Sequence, residues 1–379
     1  MKSVYEALKY GRPLLLLLCL LWGITPIAAA EKGAYTKTIK KEFPIAANGV
    51  VNVQNKYGKI AIETWDRDRV KVNVKISVTA SSEKKAQEVF DRIRVDFMNK
   101  PDYIKAVTEI GSKKSNWWSW SNGGDGDFDI DYTILMPKRL NLELTNKHGD
   151  ISISSIDGWA KVWLKHGNFE IKEVADDVHL DIAHGNGTLV KGTNVKVTSK
   201  HANVSIAKAE DIELQSKHTN ISIADAGDVS CNTKYDNYII GTIQEFKNTG
   251  GFDNIDIKYV KDVNINTKYS HLRLSEVGEK VDLNLVHGDA IIDALKQEFG
   301  DIKLDGRHAN FELNVPTGAA FSLDAQTSYA PVSYPNGMVV TYEVEKNSSY
   351  QVKGYVNKKQ SPRTVTARLT HGGLNIEQQ

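Results

Sequence analysis

An aromatic or imidazole ring returns every 17 or 18 residues through most of this chain, at His148, His166, His184, His201, His218, Tyr235, Phe252, Tyr269 and His287. Lys usually precedes the ring, and Asn or Asp usually follows it two residues later. A unit so short cannot bury an apolar face alone and becomes stable only when stacked on copies of itself. The period therefore predicts an all-β fold, a single-stranded parallel β-helix (β-solenoid) with 17–18-residue coils. Such a body offers long flat faces and no built-in cleft, which favours adhesion, scaffolding or ligand display over catalysis.

Within a repeat, side chains alternate between inside and outside. In the stretch Asp211–Ala224 this puts Ile212, Leu214, Ser216 and His218 on one face, so the ring is expected inward at a corner and the Lys before it outward. Asn or Asp at the turn (Asp150, Asn168, Asn186, Asn203, Asn220, Asn237, Asn254, Asp289, Asn310) tolerates left-handed backbone. Stacked on their counterparts, these side chains would bind one coil to the next. After His287 the spacing widens to 21, through His308, Tyr329, Tyr350 and His371.

The chain divides into four parts. Residues 1–30 read as a secretory signal: Lys2, Lys9 and Arg12 lead a short apolar run from Leu14 to Leu21, and Ala28–Ala30 resembles a cleavage site. Residues 31–139 read as an N-terminal strand and helix cap, with period-two runs such as Val70, Val72, Val74, Ile76 and Val78. A helix capped by Ser81 or Ser82 runs to about Arg94, with Ala86, Val89, Phe90 and Ile93 on one face. Residues 140–300 carry the regular coils, and 301–379 broader closing coils and a cap. Past residue 30 there are 45 Lys and Arg against 46 Asp and Glu, which argues against wholesale nucleic-acid binding. Cys231 is the sole cysteine left there, so no internal disulfide forms. No stretch outside the leader is long and apolar enough to span a membrane.

Three segments carry the strongest likeness to known proteins: Tyr132–Ile153, which includes Asn146-Lys147-His148-Gly149-Asp150, then Asn314–Ala325 and Leu369–Ile376. They resemble the bacterial putative-adhesin family, secreted β-strand-repeat domains common in Bacteroidetes. The resemblance covers most of residues 45–379 and implies the fold, a location in the cell envelope and a non-enzymatic role. It carries across no catalytic or binding residue.

Four groups of side chains compete as sites. The His at the repeat marks could line up as metal ligands, but Tyr and Phe occupy the same slot, so corner stacking is the better account and no metal or other cofactor is expected. Lys147, Lys165, Lys200, Lys217, Lys234 and Lys268 share the outward position and would form a basic stripe suited to acidic polysaccharide. Trp117, Trp118 and Trp120 sit in a Gly/Ser/Asn-rich segment, and indoles of that kind stack on sugar rings or partner surfaces. Asp125, Asp127, Asp129 and Asp131 imitate a calcium loop but lack its Gly and closing Glu, and read instead as the wet face of a strand. No nucleophile elbow, zinc-protease helix or phosphate loop is present.

These observations lead to a secreted, non-enzymatic protein of the bacterial periplasm or cell surface, an adhesin that binds glycans or surface partners. An envelope scaffold and a polysaccharide-active β-helix enzyme are the alternatives.

Overall fold

The computed structural model describes residues 32–111 and 127–379; Trp117, Trp118, Trp120 and the leader lie outside them. The fold is all-β with one helix among the described residues, and its strands belong to a single sheet.

The middle of the chain forms two parallel columns. Strands β8 (Asn141–Asn146), β10 (Ala160–Lys165), β12 (Val178–Ala183), β14 (Asn194–Lys200) and β16 (Asp211–Lys217) stack in one. Strands β9 (Ile151–Ile153), β11 (Asn168–Glu173), β13 (Asn186–Lys191) and β15 (Asn203–Lys208) stack in the other. Both columns continue through β17 (Asn220–Lys234), β18 (Asn237–Gly251), β19 (Asn254–Ile292) and β20 (Ile302–Val315). Partners stand 18 residues apart at first (Ala160 beside Val178), then 17 (Val178 beside Val195), then 21 (Val281 beside Ile302). The sequence period is thus the ladder register. Alternate residues from both columns, such as Val162, Leu164, Phe169 and Ile171, fill one continuous aliphatic core.

The sheet is mixed, which departs from an entirely parallel β-helix. Near the N-terminus β1 (Gly33–Pro44) pairs antiparallel with β4 (Arg69–Ala80), β4 with β7 (Asp127–Met136), and β5 (Ile93–Lys100) with β6 (Tyr103–Ile110). Strands β2 (Val50–Gln54) and β3 (Ile60–Thr64) join these hairpins to β8 and β9 in parallel. Near the C-terminus β21 (Phe321–Ser328) and β24 (Ser349–Val356) are antiparallel, as are β24 and β23 (Val339–Lys346); β22 (Val332–Ser333) and β21 run parallel to β25 (Thr364–Gln378). A parallel ladder must stop somewhere, and hairpins close its ends because they need only a short turn. Helix α1 spans Glu83–Phe90, with Ser82 as N-cap and Ala86, Val89 and Phe90 buried. It ends before Ile93, which opens β5 instead of extending the apolar helix face. Asp127, Asp129 and Asp131 alternate with Phe128, Ile130 and Tyr132 along β7, on the wet side of the strand.

Candidate binding face

The corner between the two columns departs from the alternation that the sequence suggests. In β16, Ser216 is buried and Lys217 exposed, so strict alternation would bury His218; it is exposed, and Thr219 is buried in its place. The cause is local backbone geometry. His218 has φ +54°, and the ring residue is left-handed at eleven corners, from His166 to His371, with φ between 51° and 63°. A left-handed residue turns the chain without taking a strand step. The ring swings outward and the next, smaller residue points in. The left-handed position belongs to the ring and not, as expected, to the following Asn.

The exposed rings form one stack. Its order is Tyr57, His148, His166, His184, His201, His218, Tyr235, Phe252, Tyr269, His287, His308, His371 and Tyr329, with neighbouring centroids 4.7 to 5.2 Å apart and planes within 23° of parallel. Tyr235, Phe252, Tyr269 and Tyr329 remain 40%, 43%, 50% and 66% exposed, so their edges reach solvent although their faces are covered by one another. Tyr350 does not join the stack. Strand β24 runs antiparallel there, its hydroxyl donates to Glu343 Oε1 (2.8 Å), and Tyr329 stacks directly on His371.

Columns of polar side chains flank the rings. On one side lie Lys147, Lys165, Lys200, Lys217, Lys234 and Lys268, all exposed, with Lys200, Lys217 and Lys234 in successive register. Lys234 also sits over Tyr235 and Phe252, 5.2 and 5.7 Å from the centroids. On the other side each Asn amide donates to the carbonyl oxygen one repeat earlier: Asn220 to Asn203 (2.6 Å), Asn237 to Asn220 (2.9 Å) and Asn254 to Asn237 (2.9 Å). The series starts with Asn168 on Asp150 (3.0 Å), and Asn310 on Asp289 repeats it (2.8 Å). Stacked Asn thus does link repeat to repeat.

Beneath the rings the inward corner position is small or polar. It is Gly at 149, 167, 185, 288 and 372, Ala at 202 and 309, and Thr219, Asp236, Asp253 and Ser270 between. Asp253 accepts from Asp236 N (2.9 Å), Gly251 N (3.0 Å) and the Thr233 hydroxyl (3.1 Å), while Asp236 accepts from Thr219 N and Ser216 Oγ (both 2.7 Å). Burial pushes the Asp253 carboxyl up to about 6, against the pull of these hydrogen bonds, and raises Asp236 in the same direction. Sequence reasoning did not single these two carboxylates out. The readable signal was Asp immediately after a ring, where other repeats carry Gly, Ala, Thr or Ser. Cys231 is buried close by, and burial raises its thiol too.

The imidazoles are shifted the other way. His148, His201 and His308 are lowered, first by lost hydration, then by neighbouring imidazoles and by the adjoining Lys or Arg. Among the described residues no group of three or more His, Cys, Asp or Glu is arranged to hold a metal ion. The face can offer a row of imidazole and phenol edges and a parallel row of ammonium groups, repeating together.

No protein-family model matches this chain, and no curated protein does. Among solved structures it is similar to a putative cell adhesion protein from Clostridium sporogenes, at 11% identity, covering 91% of this chain and all of that one, with a TM-score of 0.18. It is also similar to a putative adhesin from Bacteroides fragilis, at 8% identity, covering 90% of this chain and 97% of that one, with a TM-score of 0.20. Superpositions this loose carry no argument about function.

Proposed function

We propose that this chain is a secreted, non-enzymatic cell-envelope protein, an adhesin that binds glycans or surface partners along the ring face. In this reading the parallel part is a β-solenoid of 17–18-residue coils, and the antiparallel ends are its caps. The left-handed rings are the observation that carries it. Gly or Asn would occupy that backbone with less strain, since a left-handed residue with a side chain costs about 1–2 kcal/mol. Eleven corners nevertheless hold His, Tyr or Phe, with the ring turned outward. Strain repeated at an exposed position points to use of the side chain instead of to folding. The family resemblance of Tyr132–Ile153, Asn314–Ala325 and Leu369–Ile376 supports the same reading.

The test is an array of bacterial and host glycans probed with three proteins: the wild type, the triple variant His184→Asn, His201→Asn and His218→Asn, and a deletion of Asn116–Asn122. Relief of strain offsets lost stacking of about 0.5–1.5 kcal/mol per pair, so the triple variant stays folded, with a change of less than about 1 kcal/mol per site. Its glycan signal falls while the deletion keeps binding. The opposite pattern moves the site to Trp117, Trp118 and Trp120. Silence from the wild type sinks the glycan reading and leaves a protein partner or a scaffold.

A further inference from the structure

We infer that the ring face takes a linear acidic polysaccharide laid along the stack, its carboxylates on the lysine column and its hydroxyls on the ring edges. This rests on the adhesin reading above and names the ligand class.

The cations beside the rings differ from the others in the same repeats. Lys191 pairs with Glu173 (2.6 Å), Lys196 with Glu213 (2.8 Å), Lys208 with Asp225 (3.5 Å) and Lys261 with Glu279 (3.4 Å), each bridging two neighbouring repeats. Lys303 likewise reaches Asp282 (3.5 Å) and Asp305 (3.1 Å). The six lysines of the column, with Lys56 and Arg307 at its ends, make no ion pair among the described residues. In a chain with almost equal numbers of acids and bases, a line of cations without partners is a local surplus of positive charge. It is suited to a ligand that brings the missing carboxylates.

Spacing and chemistry narrow the polyanion. One rung repeats every 4.7 to 5.2 Å, close to the length of one pyranose unit in an extended chain. A single nucleic-acid strand repeats at about 3.4 Å in a duplex, and proteins hold unpaired strands by stacking bases on free aromatic faces. Here the ring faces are occupied by other rings. Only edges remain, and an edge offers N–H, N or O–H to a hydroxyl, which is the language of sugars.

The histidines give the face a pH response. The charged and titratable groups acting on His148 are His166, Lys56, Lys165 and Lys147; on His201, His218, His184, Lys200 and Lys217; on His308, His287, His371 and Arg307. All are bases. A bound carboxylate supplies the negative charge the stack lacks and stabilises its imidazolium forms, so binding takes up protons. Uronic acids stay ionised above about pH 4, so affinity rises as pH falls into the acid side of the histidine range.

Calorimetric titration of the full chain with polygalacturonate, neutral dextran and single-stranded DNA tests this, at about pH 5.5 and about pH 7.5. Polygalacturonate binds, at least about fivefold tighter at the lower pH, and salt weakens it. The variant Lys165→Gln, Lys200→Gln, Lys217→Gln and Lys234→Gln loses roughly tenfold or more. Its melting temperature is unchanged, because these exposed side chains hold nothing in place. Dextran bound as tightly as polygalacturonate overturns the acidic class and leaves the glycan reading standing. DNA bound more tightly than polygalacturonate overturns the sugar. An unaffected lysine variant overturns the site, and failure of every glycan here and on the array overturns both proposals.

Discussion

Gly149→Ala lowers the unfolding free energy by about 3 kcal/mol, one of the largest losses expected from adding a single methyl group anywhere in this chain. Gly149 has φ +140°, and a Cβ there would run into the backbone carbonyl of Gly58 in the neighbouring repeat. Neither contact can relax cheaply, because the obstruction is main chain held in the ladder: Gly58 N donates to His148 O (3.0 Å). Urea unfolding of the variant reads the loss directly. A loss below about 0.5 kcal/mol, the range of ordinary surface substitutions, would show that successive corners are not packed backbone to backbone.

Acid stabilises the protein through Asp253, over a pH range set by its shift. In the unfolded chain this carboxyl titrates near 3.8; in the fold it holds its proton up to about 6, chiefly because burial disfavours the charge. Between those values the native state binds more protons than the unfolded state. The contribution is fully present below about pH 4 and is lost as pH rises to about 6, for a total on the order of 2 kcal/mol. Asp236, raised in the same direction, adds to the trend. Asp253→Asn removes the titration. It leaves a constant offset of about 1 kcal/mol, because its amide cannot accept from Gly251 N–H as the carboxylate oxygen does. Urea unfolding from pH 4 to pH 7 therefore gives a wild-type curve that falls relative to the variant's. Parallel curves would mean that the buried carboxylate titrates normally.

The ring period and the Asn column were both legible in the sequence, because each reports a contact between residues 17 or 18 positions apart that recurs unchanged. Ring orientation was misread for a definite reason. Period-two counting assumes that every residue takes a strand step, and a left-handed residue does not. The clue stood beside each ring: Gly149, Gly167, Gly185, Ala202, Gly288 and Ala309 are small because they, and not the rings, turn toward the interior. The antiparallel ends could not be read, since β4 chooses β1 and β7 as partners across intervals that carry no repeat. Tyr350 was assigned by continuing the 21-residue spacing into a hairpin, where chain direction reverses and spacing no longer maps to register. The lysine column was visible, but its lack of partners was not. That property depends on where every acid of the adjoining repeats points.

The central claim is that ligand lies along the ring edges, and histidine footprinting tests it most directly. Diethyl pyrocarbonate modification is followed residue by residue by mass spectrometry, with and without polygalacturonate. His179 and His271 lie off the stack and serve as internal controls, His271 beside Asp289 (3.2 Å). The account predicts that His148, His166, His184, His201 and His218 are protected together when the polymer is bound, while His179 and His271 react as before. Binding that leaves the stacked histidines as reactive as in the free protein would contradict it.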